Sequence, residues 1–270
     1  MNNTIAWFCL RQLKKSLQIN FHTMTMSTSP IIIVPARLAS VRFPKKLLAD
    51  AGGKPLIIRT AERIRSQAPE FDLFFAVDGV ELKKVLELAG YNTVLTSPDL
   101  PSGTDRIAKA NQELQKEFVI NVQADEPLVT RDHILSLARA ISKPRVSIST
   151  LASVFQTESD FLDSNQVKVV LDNEGNALYF SRSPIPFSRA KESKWGNEKT
   201  TRGYKHMGLY AYNREFLEFF LDSKESTLER IEKLEQLRAL QNGYKIGVEI
   251  VEGTSLGIDV PADLEKIKFE

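Results

Sequence analysis

From Ile31 onward, short apolar runs alternate with longer segments of helical periodicity, and this rhythm limits the fold more than any other feature of the chain. Residues 31–34, 73–77, 93–95, 119–122 and 146–151 read as strands. Between them, residues 56–66, 81–89, 105–114 and 133–141 carry apolar side chains at helical spacing. The alternation predicts an α/β fold: a doubly wound, mostly parallel, Rossmann-like sheet with a core of about five strands. At 270 residues and 42% hydrophobic composition, the chain has the material for one sizeable core.

The rhythm changes after Ala152. Residues 167–171 and 177–180, separated by Asp172, Asn173, Glu174, Gly175 and Asn176, read as a hairpin with a five-residue turn. Residues 188–201 are polar and charged and predict a mobile surface loop. A strand over 204–212, an amphipathic helix over 228–240 and a strand over 246–251 complete the pattern. The reading is one domain over 30–270, divided into a core (30–151), a β-rich insertion (152–218) and a return to the core (219–270). Residues 1–29 stand apart, with Arg11, Lys14 and Lys15 but no acid. The apolar stretch 5–10 is too short to span a membrane and precedes the basic residues, the wrong order for a secretory signal. This extension reads either as a start misplaced from Met24 or Met26 or as a targeting segment.

A net charge of +2, from 36 basic and 34 acidic residues, gives no global case for a nucleic-acid partner. The single cysteine, Cys9, excludes disulfide frameworks and cysteine-bound zinc, and it suits a reducing, cytoplasmic compartment. His22, His133 and His206 are scattered, so any metal is expected to be a hard cation held by oxygen, which points to Mg2+.

Local charge is more informative. Arg37, Arg42, Lys45 and Lys46 crowd the segment IIIVPARLASVRFPKK, directly after the first strand. Pro35 cannot donate to a sheet ladder and is expected to end that strand, turning the chain out at the carboxyl edge where open α/β sheets bind ligands. Cations gathered there suit a polyanion, although a merely solvated face has the same composition. Neither GxGxxG nor GxxxxGK[ST] occurs, which disfavours a simple dehydrogenase or a P-loop enzyme.

Further candidates follow from placement. Asp125 lies just past the strand 119–122, on the same rim as the cationic loop, where a carboxylate serves as a metal ligand or as a turn former. Asp259, ahead of Pro261, serves either as a second ligand or as a helix-start residue. Ser102 or Thr104 caps a helix, while Gly103 lets a flat base approach the backbone. In the strand 204–212, His206, Gly208, Tyr210 and Tyr212 share a polar-aromatic face with a gap at Gly208, and Met207, Leu209 and Ala211 face the core. Glu235 and Gln236 sit at the edge of a leucine stripe, and Arg182 precedes the stiff pair Pro184 and Pro186.

Taken in order, the blocks VPARLASVRFPKK, SGTDR, NVQADEP, VKVVLD, ALYFSR, IPFSR, YKHMGLYAY, EKLEQLRAL and IDVPADLEKI resemble the 3-deoxy-manno-octulosonate cytidylyltransferase (CMP-Kdo synthetase) family, over nearly all of the chain from Ile31. The resemblance implies a nucleotidyltransferase joining CTP and the acidic sugar Kdo into CMP-Kdo and pyrophosphate, with magnesium. It implies catalytic roles for Arg37, Lys46, Asp125 and Asp259, the two aspartates being the metal ligands. CTP is implied at Pro35, Ala36, Arg37, Arg42, Lys46, Ser102, Gly103, Thr104, Arg106 and Gln123. The sugar is implied at Gln123, Arg182, His206, Tyr210, Glu235 and Gln236, with Arg182 the partner for its carboxylate. A homodimer is implied as well, with its interface in the 152–218 insertion.

The chain departs from the family pattern at Lys45 and Leu47, where glycine and proline flank the loop lysine, and at Ala124, where glycine precedes the metal aspartate. Three alternatives stand beside the main reading. The acceptor is an 8-amino Kdo analogue, which differs by one or two pocket contacts; or it is a sialic acid, against which the glycine-poor first loop counts; or the chain binds a sugar nucleotide without turnover.

Overall fold

The computed structural model describes residues 29–40, 43–189, 195, 203–253, 257–258 and 260–267. The readings of the N-terminal extension, and most of that of the 188–201 loop, lie outside the described residues. Among those described, one sheet has nine strands: β1 (Ile31–Ala36), β2 (Leu73–Val77), β3 (Asn92–Leu95), β4 (Phe118–Asn121), β5 (Ile148–Val154), β6 (Lys168–Leu171), β7 (Ala177–Ser181), β8 (Tyr204–Asn213) and β9 (Ile246–Ile250). Its order is β3-β2-β1-β4-β8-β5-β9, with the β6–β7 hairpin attached to β8. The pairs β1–β2, β2–β3, β1–β4 and β5–β9 are parallel.

β1 shows why the sheet needs two layers of helix. All six of its residues are buried; Ile32, Val34 and Ala36 enter one core, and Ile31 and Ile33 the other. The first core is closed by α1 (Leu56–Gln67), α2 (Val80–Leu88) and α4 (Arg131–Ile141), through Ile57, Ile64, Leu82, Leu86, Ile134 and Leu137. α3 (Gly103–Leu114) and α6 (Arg214–Asp222) close the second through Ile107, Ala108, Phe216 and Phe220. Each such large apolar side chain contributes about 1.5–3 kcal/mol by leaving water. No helix among the described residues is long and apolar enough to cross a membrane.

Two expectations are corrected. Pro35 does not end β1; it pairs in register with Ala76, and the strand runs on to Ala36. The reason lies in alternation: Ile32 N–H donates toward β2, so Pro35, three residues on, faces the β4 side, where pairing has already stopped at Ile33 and Asn121. No ladder bond is lost. Second, the helix expected over 228–240 is two helices, α7 (Thr227–Glu232) and α8 (Gln236–Gln241), broken where Lys233 adopts φ 54° and ψ 47°. The core and the insertion share one sheet, because β8 from the insertion lies antiparallel between β4 and β5. Helices α5 (Glu158–Leu162) and α6 were not anticipated.

The break is held by charge. Ser226 and Glu229 form a capping box at the start of α7, and Glu229 also accepts both arms of the Arg238 guanidinium from α8, at 2.8 and 2.6 Å. Both side chains are nearly enclosed, at 12% and 9% exposure, and Arg238 lies 4.1 Å over the Phe220 ring. Removing one partner of such a pair strands the other charge without water. Arg238→Met is therefore expected to destabilise the fold by about 3 kcal/mol in urea unfolding, with Glu229→Gln/Arg238→Met recovering part of the loss.

Candidate active site

β1 and β4 part company at the rim. Their pairing ends at Ile33 and Asn121, while β1 stays paired with β2 as far as Ala36 and Val77. The space so opened is a cleft of about 310 Å³ lined by Pro35, Ala36, Arg37, Leu100, Pro101, Ser102, Gly103, Arg106 and Gln123. Seven of the residues marked in the sequence as nucleotide-binding thus converge on one hollow at the sheet's carboxyl edge. Arg37 is exposed, a cation turned to solvent. A Cβ on Gly103 would stand 3.4 Å from Pro35 Cγ, so the bare backbone keeps this wall of the cleft thin.

Other members of the set have different jobs. Ser102 caps α3, accepting from Asp105 N–H at 3.1 Å and donating to the Asp105 carboxylate at 2.6 Å. Arg106 is 2% exposed and donates to Thr96 Oγ1 at 2.5 Å and Ser97 O at 3.2 Å, which ties down the loop before Ser102. Burial lowers its pKa, and attraction to Asp78 works the other way. Thr104 does not line the cleft; it is buried, and its hydroxyl donates to Glu235.

Next to the cleft, Lys46 is ion-paired with Asp125 and donates to Ile258 O at 2.6 Å. Ile258 N–H in turn donates to Asp125 O at 2.9 Å. Three distant segments therefore meet at Asp125: the 3-10 turn Lys46–Leu48, the end of β4 and the chain at Ile258. Arg42 and Asp259 lie outside the described residues. Among the described residues, no three carboxylate, histidine or cysteine groups gather as a metal cage.

The departures from the family pattern have visible consequences. Lys45 sits at φ 52°, in the left-handed region where a glycine is unstrained, a cost of about 1 kcal/mol for a side chain. Its ammonium reaches Glu81 at 3.0 Å, on the wall of a second hollow of about 550 Å³ that also includes Leu38, Pro44 and Leu82. Leu47 and Ala124 are both buried in the first core, and Thr60 Oγ1 donates to Ala124 O at 2.9 Å. The extra methyl at Ala124 is thus absorbed by packing.

Glu126 was overlooked among the candidates. It is 7% exposed with Oε2 unpartnered among the described residues, and burial, then the neighbouring Asp125, pushes its carboxyl up to about 8. Two consecutive acids ending a buried strand were the available signal, since both cannot be solvated there.

The residues marked for the sugar are spread over β7, β8 and the α7–α8 break. His206 Nε2 lies 3.0 Å from Thr150 Oγ1, whose single proton is within reach of Met207 O and Leu209 O at 3.1 and 2.8 Å. With that proton spent on a carbonyl, Nε2 carries its own and donates. The site is a bulge: β5–β8 pairing jumps from Thr150–Tyr210 to Leu151–Met207. A Cβ at Gly208 would meet nothing within 4 Å, so the expected open space exists. Tyr212, expected on the polar face, is buried in the second core, stacked on Tyr210 and Phe216 at 5.9 and 5.8 Å.

Gln236 is buried with Nε2 unpartnered among the described residues, and burial raises the Glu235 carboxyl against the opposing hydrogen bond from Thr104. The Arg182 guanidinium is largely engaged: it donates to Glu232 O at 2.8 Å, Ser164 O at 3.1 Å and Lys233 O at 3.4 Å, clamping the end of α7. Among the described residues, one N–H on each terminal nitrogen is left over.

His206 is half-buried by area, but its ring is enclosed by Phe180 and Tyr210 at 5.0 and 5.5 Å. Burial lowers its pKa to about 3 from 6.5. Between those values the unfolded chain holds a proton that the folded chain refuses, so stability falls as pH drops from 6.5 toward 3. His206→Asn is expected to flatten that slope in urea unfolding series at pH 7, 5.5 and 4, relative to the unsubstituted chain.

Known proteins resemble the chain over most of its length. Residues 31–246 match the family model described as cytidylyltransferase. The chain is 46% identical over 243 residues to a 3-deoxy-manno-octulosonate cytidylyltransferase of Thermodesulfovibrio yellowstonii, covering 87% of this chain and 95% of the relative. It is 41% identical to one of Polynucleobacter asymbioticus, over 90% of this chain and 98% of the relative. The solved structure of a CMP:2-keto-3-deoxy-manno-octonic acid synthetase complexed with CTP superposes with a TM-score of 0.81 at 34% identity, over 88% of this chain and 96% of that one. A cytidylyltransferase from Leptospira borgpetersenii, 13% identical with a TM-score of 0.56 over 88% of this chain and 84% of its own, shares the fold.

Proposed function

The chain belongs to the 3-deoxy-manno-octulosonate cytidylyltransferase family, and from that premise we propose how its residues transfer CMP from CTP to the anomeric hydroxyl of Kdo. The other product is pyrophosphate, and CMP-Kdo feeds lipopolysaccharide biosynthesis. The observation that carries the assignment of residues is the convergence of Arg37, Ser102, Gly103, Arg106 and Gln123 on one cleft beside the Lys46–Asp125 pair.

In this reading the cytosine lies against the thin wall made by Pro35 and Gly103, and the triphosphate extends toward Arg37, Arg42 and Lys46. The Kdo hydroxyl oxygen forms a bond to the α-phosphorus as the bond from that phosphorus to the bridging oxygen breaks. Pyrophosphate leaves with the electron pair, and the proton of the attacking hydroxyl is given up to solvent. No covalent nucleophile is required; alignment and charge neutralisation supply the rate. Lys46, ion-paired with Asp125, offers its charge to the departing phosphates. Magnesium fits the hard oxygen donors of Asp125 and Asp259, and when bound it neutralises phosphate charge. His206, Tyr210, Gln123, Glu235 and Gln236 receive the sugar, whose carboxylate takes the remaining N–H groups of Arg182.

We further propose a homodimer. Leu162, Leu178 and Phe187, at 58%, 61% and 88% exposure, all belong to the 152–218 segment. Sedimentation is expected to give about twice the 30.4 kDa of one chain, and a monomer at micromolar concentration removes this part. The lone Cys9 suits a cytoplasmic enzyme.

The decisive experiment is pyrophosphate release with CTP, magnesium and a panel of Kdo, 8-amino-Kdo and sialic acid. Kdo is expected to be the best acceptor; no release with any sugar leaves only the non-catalytic binder. Asp125→Asn is expected to lower kcat about 100-fold or more, the scale of roughly 3 kcal/mol of transition-state stabilisation. Turnover equal to wild type would remove Asp125 from the chemistry.

A further inference from the structure

α1 carries a polar stripe along the segment that follows β4. Thr60, Arg63 and Gln67, spaced three and four residues apart, share one face of the helix. Thr60 Oγ1 donates to Ala124 O at 2.9 Å, Arg63 Nε donates to Val129 O at 2.8 Å, and Gln67 Oε1 accepts from Arg131 N–H at 2.9 Å. The helix thus grips the stretch 124–131 along its length, and Thr60 holds the end next to Asp125.

Thr60 is an unusual choice for its place. It is buried at 0% exposure on a face with Leu56, Ile57, Ala61 and Ile64, where a valine of the same outline would fill the space without a polar atom. Its acceptor, Ala124, is 4% exposed, so water does not replace the bond. No other donor reaches Ala124 O among the described residues. Ala124 stiffens the same joint: where the family pattern has glycine, its Cβ packs in the first core and narrows the backbone torsions.

The geometric consequence falls on Asp125. A peptide unit is planar, so the heading of a side chain is set by the two planes that flank its Cα. The plane before Asp125 contains the Ala124 carbonyl, held by Thr60. The plane after it contains Asp125 O, which accepts from Ile258 N–H at 2.9 Å, and Glu126 N–H, which donates to Gln123 O at 3.2 Å. With both planes held, only the side-chain torsions of Asp125 remain, and its carboxylate meets Lys46. Without the Thr60 hydroxyl, a buried carbonyl is left without a donor, and the plane tilts to find one, taking Asp125 with it.

We propose that Thr60 is a positioning residue for Asp125: its buried hydroxyl fixes the peptide that aims this carboxylate at the divalent cation accompanying CTP. The inference rests on the reading of Asp125 as a magnesium ligand, and it adds to that reading a residue that does not line the cleft.

The test measures CTP affinity by calorimetry, once with saturating magnesium and once with a chelator, and takes the ratio of the two. The ratio isolates what the metal adds, and it needs no turnover. Thr60→Val deletes the hydroxyl and keeps the outline of the side chain. Its ratio is expected to fall about tenfold, the scale of losing a supporting partner of a metal ligand, with metal-free CTP affinity within about twofold of wild type. Thr60→Ser keeps the donor, and its ratio is expected to stay within about twofold of wild type. In an Asp125→Asn background, Thr60→Val is expected to lower the ratio no further, because both substitutions act at one carboxylate. A Thr60→Val ratio like that of wild type overturns the proposal. So does an equal loss of affinity with and without magnesium, the mark of a general loosening, and so does a loss in Thr60→Ser as large as in Thr60→Val. Should Thr60→Val fail to fold, Thr60→Ala takes its place and is read by the same outcomes. If wild type binds CTP no better with magnesium than without, Asp125 is not a metal ligand, and the proposal falls with that reading. Absence of any CTP binding by wild type would instead defeat the assignment of the cleft.

Discussion

Where β1 and β4 stop pairing decides where chemistry can happen on this sheet. Up to Ile33 and Asn121 the two strands are locked by ladder hydrogen bonds, and beyond them β1 leans only on β2. Everything at the rim is arranged around that fork. Pro35, which has no N–H to give, occupies the unpaired side, and Gly103 at the start of α3 comes close to it. The backbone groups freed by the fork face the cleft and not a neighbouring strand, so a nucleotide placed there competes with no sheet bond.

The charges around the fork are brought from far apart in the chain. Lys46, Asp125 and Ile258 are joined by one ammonium and one amide, although 79 and 212 residues separate the lysine from its two partners. A polyanion arriving at such a place meets cations already held in position, with the cost of ordering them met by folding. The Thr60 hydroxyl follows the same economy: one buried proton sets the plane from which Asp125 departs, and only the carboxylate is shown to the ligand.

Much of this was readable from sequence, and the failures share a cause. β1 through β4 and α1 through α4 announce themselves because their apolar periods are strict, and Arg37, Ser102, Gly103 and Gln123 stand out because they follow strand or precede helix ends. Lys233 carries no such mark. Its left-handed turn is imposed from outside, by the Glu229–Arg238 pair and by Arg182 donating to the last carbonyls of α7. The family resemblance placed Thr104 at the nucleotide, but its hydroxyl is taken by Glu235, 131 residues away. Pro35 obeys the rule against proline in ladders, yet the rule concerns a bond, and here the bond has no partner to lose. Side-chain direction and interruption of pairing are tertiary facts, and local pattern cannot report them.

The position of β8 bears on how the molecule comes into being. This strand, late in the chain, pairs antiparallel with β4 on one side and β5 on the other. A nascent polypeptide that has not yet extended past Tyr204 holds β1 to β4 with one side of β4 bare, and β5 with neither of its partners, β8 and β9, the kind of surface on which strands from other chains add. The β5 side of the sheet has to wait for β8 and β9, so closure of the sheet is a late, long-range event. A growing chain of this enzyme is therefore most exposed to aggregation, and most in need of a holding chaperone, over the interval between synthesis of Asn121 and of Asn213.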